Sequence, residues 1–112
     1  MPKAVMLVFT DPSSPDVEDE YNAWYDSAHI PDIFKAAPGV KSATRYRLAE
    51  SPAPGVEMPN RHLAVYEVEA DDLNQVIADM GAAFGRGEMP MSDALSVGPI
   101  VFFEQISERF TP

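Results

Sequence analysis

The chain has 112 residues, 46% hydrophobic and 23% charged, and its 18 acidic against 8 basic side chains give a formal net charge of -10; this length suits one domain, whose thin core buries roughly 65% of the unfolded surface and gains from a partner subunit. The charge repels phosphate backbones and anionic lipid heads, so neither nucleic acid nor a membrane surface is an expected partner, and without cysteine there is no disulfide framework, thiolate zinc site or cysteine nucleophile. The opening run MPKAVMLVFTDPSSPD is too short to span a bilayer and lacks a signal-cleavage pattern, which makes a cytoplasmic protein the default expectation.

Lys3 to Thr10, rich in Val, Leu and Phe, reads as a strand that the Asp11-Pro12-Ser13-Ser14-Pro15 cluster stops. Asp16 is placed to cap a helix. Glu18, Asp19 and Glu20 suit the positive end of its dipole, and Val17, Tyr21, Trp24, Tyr25 and Ala28 share one face. Pro31 lacks the N–H that would reach the Ser27 carbonyl and biases Ile30 away from helical angles, so the helix is expected to end or kink around His29 and Ile30. A further turn over Asp32 to Ala37 closes at Pro38-Gly39, and Val40 to Glu50 forms a second strand. The following SPAPGVEMPN reads as a loop, and Arg61 to Glu69 as the third strand. Asp71 or Asp72 caps a second helix with Leu73, Val76, Ile77, Met80 and Phe84 on its apolar face, ended by Gly85-Arg86-Gly87. A loop from Glu88 to Gly98 then leads into a last strand, Pro99 to Glu108.

The order βαββαβ predicts an α+β, ferredoxin-like sandwich: a four-stranded antiparallel sheet with two helices on one face, all within a single domain over residues 1–112. In the first strand Val5, Leu7 and Phe9 oppose Ala4, Met6 and Val8; in the last, Ile100, Phe102 and Ile106 oppose Val101 and Phe103. Both faces are therefore apolar. Two helices cover only one, so a homodimer packed sheet to sheet is expected.

Asn22, Tyr25, Asp26 and His29 line the edge of the first helix's apolar stripe. A histidine there is the best acid–base candidate. Its place near a helix C-terminus, beside Asp26 and Asp32, favours the protonated form and a general-acid role; the alternative is that it caps frayed carbonyls before Pro31. Tyr25 lies where its hydroxyl meets a ligand or His29, Trp24 is either core or a pocket wall, and Asn22 is a candidate binding residue. His62 shares a strand face with Ala64, Tyr66 and Val68, so His62 and Tyr66 join His29 around one pocket if that face meets the helices; otherwise His62 is a rim residue. Tyr46 shares a face with Ser42, Thr44 and Leu48, opposite Lys41, Arg45 and Arg47, a cationic row that pairs with the chain's own carboxylates or steers an anionic substrate. Met58, Met89 and Met91 sit on loops, suited to a pocket mouth or a dimer seam. Two histidines far apart, with no H-x-x-E or H-x-H spacing, predict no metal site. Gly85-Arg86-Gly87 lacks the setting of a phosphate loop.

The run from Glu20 through Trp24-Tyr25, His29 and Pro31, then Pro38-Gly39-Val40 and Thr44-Arg45-Tyr46-Arg47, resembles the EthD-like branch of the dimeric α+β barrel superfamily. The resemblance implies a ferredoxin-like homodimer whose two sheets form a barrel, with a cavity between sheet and helices. The superfamily includes cofactor-free cyclases, monooxygenases, isomerases and haem enzymes, so the fold leaves the reaction open. The expectation is a small homodimeric protein that binds a hydrophobic, aromatic or polyketide-like metabolite and acts on it by acid–base chemistry without a cofactor, as a cyclase, isomerase or lyase. His29, Tyr25 and His62 are the catalytic candidates and Trp24, Asn22, Tyr46 and Tyr66 the binding candidates. The alternatives are a non-catalytic accessory protein of a pathway, and a haem or quinol-type monooxygenase.

Overall fold

The structure, a computed structural model, describes residues 3–49 and 57–112. Strands β1 (Lys3–Pro12), β2 (Val40–Arg47), β3 (His62–Glu69) and β4 (Leu95–Glu104) pair antiparallel in the order β2-β3-β1-β4. Helices α1 (Glu18–Trp24), α2 (Ile30–Ala36) and α3 (Leu73–Gly85) complete the expected ferredoxin-like α+β fold, α1 and α2 being two parts of one helical stretch. Residues directly opposite in a ladder share a sheet face. Met6 lies opposite Tyr66 and Phe102, and Val8 opposite Ala64 and Ile100; these face the helices. Leu7, opposite Val65 and Val101, and Val5, opposite Phe103, belong to the other face, which no helix covers.

The first helical stretch departs from expectation. Asp16 makes no cap; it lies in a 3-10 turn (Pro15–Val17) ahead of α1. The stretch neither stops nor breaks at His29 and Ile30, because a π turn over Tyr25–His29 joins α1 to α2. There the Ile30 N–H donates to the Tyr25 carbonyl, a five-residue reach, and Pro31 falls in the first turn of α2, where a missing N–H is tolerated.

α3 begins as expected, with the Asp72 carboxylate accepting from the Asn74 N–H at 2.9 Å. Its apolar stripe is only partly buried: Val76 packs in the core, whereas Ile77 and Phe84 stay 50% and 60% exposed. α3 stands off β4 and leaves those side chains facing an opening. Strand limits shift too. β1 runs on to Pro12, and β4 starts at Leu95 and stops at Glu104, so Ile106 lies beyond the sheet in an irregular segment, 105–112. β2 ends at Arg47. Glu50 and residues 51–56 of the expected strand end and loop lie outside the described residues. Lys41 falls in the register shift between Val40 and Ser42, so the cationic row is broken at that point.

A second register shift, between Val8 and Thr10, leaves Phe9 against both Gly98 and Pro99 of β4. A Cβ at Gly98 would stand 2.8 Å from the Phe9 carbonyl oxygen and press on the Asn60 side chain, which donates to Asp11. Gly98→Ala is expected to lower stability by about 1–3 kcal/mol through overpacking against backbone, read as a fall of several degrees in Tm; an unchanged Tm would show that the β1–β4 pairing relaxes without loss.

Candidate functional site

A cavity of about 320 Å³ opens between the sheet, the first helical stretch, α3 and the loop before β4. Its walls are apolar and soft. Met6, Met80, Met89 and Met91 all line it, together with Ile77 and Phe84 of α3 and Val97 and Ile100 of β4. Among the described residues only Thr10, Tyr25 and His29 bring polar groups, and no charged side chain lines it. Such a lining accepts an uncharged, largely apolar guest and orients it through a few hydrogen bonds.

His29 is held edge-on to Tyr25, with ring centroids 4.9 Å apart, and stacked on Trp24 at 4.6 Å and 23°. It is 7% exposed, and its Nδ1 is buried with no hydrogen-bond partner. Burial pushes its pKa down to about 4, against the opposing pull of Asp32. The sequence-based expectation of a protonated imidazole is thereby overturned: near neutral pH the ring is uncharged, because lost hydration outweighs the nearby carboxylate. A neutral imidazole with an unused nitrogen accepts a proton more readily than it supplies one.

Tyr25 and Tyr66 are both fully buried, and the Tyr66 hydroxyl donates to the Tyr25 hydroxyl over a long 3.4 Å. Burial raises the pKa of each phenol, so both stay protonated. Behind them Arg45 reaches from β2 to the helix. Its Nη1 donates to Asp26 at 2.9 Å, its Nη2 to Asn22 at 2.8 Å, and its guanidinium lies 4.5 Å above the Tyr25 ring. Asn22 thus holds Arg45 and does not line the cavity.

The other candidates fall elsewhere. His62 does lie on the helix-facing side with Tyr66, but it is held by Asp11 (3.4 Å) and Glu18 (3.5 Å), packs edge-on to Tyr21 and takes no part in the cavity wall. Tyr46 is opposite Leu63 on the uncovered face, 55% exposed, and Trp24 backs His29 without lining the cavity. Met89 and Met91 line the cavity; Met58 does not. Thr10 went unselected in the sequence, although alternation from Ala4 through Met6 and Val8 marks it as the polar residue of the helix-facing side of β1. Among the described residues no group of three or more His, Cys, Asp or Glu is arranged to hold a metal ion, and no helix is long and apolar enough to cross a membrane.

Solved structures with this fold include HapK from Hahella chejuensis (14% identity, TM-score 0.62, covering 97% of this chain and 98% of that one). An EthD-like protein from Ralstonia eutropha (15%, 0.64, 97% and 96%) and an ethyl tert-butyl ether D (EthD) family protein from Bacillus halodurans (18%, 0.57, 95% and 100%) are similar over their whole lengths as well. At these identities the likeness is one of fold, and it agrees with the architecture that the EthD-like resemblance implies. No family model and no curated protein matches the chain.

The stacked Trp24 is the chain's one tryptophan, and protonated imidazole quenches indole emission. Emission excited at the red edge is expected to fall on acidification with a midpoint near 4, the value to which burial depresses His29, and His29→Gln should abolish the step. A midpoint near 6.5 would refute the buried, neutral ring. Linkage gives a second readout. The unfolded chain takes up this proton below about 6.5 and the folded one only below about 4, so stability is full above 6.5 and falls, by on the order of 3 kcal/mol, as pH drops through that window. His29→Gln should flatten that slope in urea titrations run at successive pH values.

Proposed function

We propose that this chain binds a small, uncharged, hydrophobic metabolite, aromatic or polyketide-like, in the cavity beside α3 and acts on it as an acid–base enzyme. The observation that carries the reading is an uncharged imidazole, unpartnered at Nδ1 among the described residues, in the wall of a largely apolar cavity. His29 serves as base, taking a proton from an acidic C–H or O–H of the guest, and the protonated Tyr25, itself receiving a hydrogen bond from Tyr66, donates to the oxygen on which negative charge develops. Proton removal at one atom with hydrogen-bond donation at another supports isomerisation, cyclisation or elimination. The accessory-protein reading rests on a different fact: no carboxylate among the described residues bonds to the Nδ1 of the imidazole, which lessens its power as a base. Haem is disfavoured by the lining itself, since among the described residues no Lys or Arg stands there to meet its propionates. The protein works as a homodimer whose uncovered sheet faces pack together, and Val5, Leu7, Val101 and Phe103 supply the apolar surface for it.

The ligand is to be identified by native mass spectrometry of protein purified from its own host. With that compound, His29→Ala is expected to retain fold and binding and to lose turnover about 100-fold or more. The wild-type rate should rise with pH through about 4 and then stay level, the signature of a base with the depressed pKa of His29. Binding that survives with no turnover in either protein would favour the accessory role. Phe103→Asp should yield monomers in sedimentation, whereas Phe102→Asp, opposite Met6 on the helix side, should damage the fold; a folded Phe103→Asp dimer would refute face-to-face packing.

A further inference from the structure

We propose that Thr10 is a second hydrogen-bond donor to the guest, set in place by Tyr21, so that the cavity selects uncharged apolar molecules carrying two oxygen functions over those carrying one. This rests on the reading of the cavity as a metabolite site and adds to it a specificity-determining residue. Thr10 stands in the cavity wall on β1, and its Oγ1 shares a buried hydrogen bond with the Tyr21 hydroxyl of α1. Either oxygen of such a pair can donate, and the surroundings decide which does. Tyr21 is fully buried, does not line the cavity, and makes no other side-chain hydrogen bond among the described residues. The two nitrogens of His62, edge-on to its ring, turn to Asp11 and Glu18, and the Arg45 guanidinium, 5.2 Å from the ring centroid, can only donate. Were Thr10 the donor, the phenol proton would be buried without an acceptor, a costly arrangement. Tyr21 therefore donates to Thr10, and the Thr10 proton is left to the one open side, the cavity.

A backbone irregularity keeps Thr10 in that wall. Val8 lies opposite Ile100 and Thr10 opposite Val97, so β4 runs one residue longer than β1 between these pairs. Strict alternation would turn Val97 and Ile100, three apart, to opposite faces; the extra residue lets both line the cavity, with Thr10 beside them. The lining then offers two donors, Tyr25 and Thr10, and one acceptor, His29 Nδ1. A guest with one oxygen meets Tyr25 and leaves the Thr10 hydroxyl desolvated and unpaired. A guest with two satisfies both, and the difference is selectivity.

The probes are 1-tetralone, with one oxygen, and its 2-, 3- and 4-hydroxy derivatives, which place a second at three spacings; each is titrated against the full chain by NMR. At least one hydroxy derivative is expected to bind about 10-fold more tightly than 1-tetralone. Thr10→Val should erase that gain and leave the affinity for 1-tetralone unchanged, whereas Thr10→Ser should keep it. Tyr21→Phe, which frees the Thr10 hydroxyl to rotate, should shrink the gain several-fold without weakening 1-tetralone, a pattern that general damage to the core would not give. Because Thr10→Val orphans the phenol, Thr10→Val/Tyr21→Phe serves if the single variant fails to fold: it removes both partners together and should likewise show no gain. If the unaltered chain binds none of the four compounds, the cavity reading falls and the Thr10 donor with it. If it binds 1-tetralone and no hydroxy derivative gains, or the gain survives loss of the Thr10 hydroxyl, the Thr10 proposal alone is overturned.

Discussion

Pro31 removes a donor from the middle of the first helical stretch, and yet the side chains on either side of it must face the same sheet. In a regular α-helix, residues four apart drift by about 40° for each step, so a line of them winds off the core within a few turns. Tyr21, Tyr25, His29, Ile33 and Ala37 form such a line, and all five are buried. The π turn over Tyr25–His29 makes this possible: it inserts a wider turn, takes back much of the drift, and uses the Tyr25 carbonyl as the acceptor for Ile30. It also selects His29 to meet the cavity. The site and the packing of this stretch thus share one backbone irregularity, and neither survives without it.

Arg45 holds that irregularity in place from β2. Its pair with Asp26, whose side chain is 64% exposed, is worth at most about 1 kcal/mol as an ion pair. Its larger part is geometric. The bond to Asn22 and the position above the rings of Tyr21 and Tyr25 fix the near end of the π turn against the sheet, so the ring that touches His29 is located by contacts from two elements. In a chain with 18 acidic and 8 basic side chains, a cation enclosed by aromatic faces on the helix-facing side of the sheet is a structural tie.

Strand alternation, the β–α order and the Asp72 cap were legible because they depend on local chemistry and on period. The apolar second face was legible for the same reason. The π turn was hidden by treating Pro31 as a break, though the strict four-residue spacing from Tyr21 to Ala37 carries its signature, a period longer than 3.6. The charge on His29 was misjudged because helix end and neighbouring carboxylates are visible in a sequence and desolvation is not; burial depends on α3 and the sheet closing around the ring. Tyr46 and Tyr66 were grouped as one binding set, yet the ladder assigns them to opposite faces: Tyr46 stands opposite Leu63, while Tyr66 stands opposite Met6. Register, which one strand alone does not contain, separates them.

Among the described residues two apolar surfaces stay uncovered, and they differ in kind. Beside α3 the surface is concave and lined by flexible methionines, and it carries three polar side chains, one with an orphaned nitrogen. Soft apolar walls with a few polar groups suit a small molecule, and a concavity of this size admits no element of protein structure. On the far side of the sheet, Val5, Leu7, Val101 and Phe103 form a pleated surface with no orphaned polar side chain among them. That surface has extent without depth, which suits a complementary sheet and gives a small molecule little to enclose it. Because β1 contributes Met6, Val8 and Thr10 to one surface and Val5 and Leu7 to the other, anything that packs on the outer face loads the strand that floors the cavity. The two surfaces are thus joined through a single strand, β1, which floors the cavity on one side and carries part of the bare apolar face on the other.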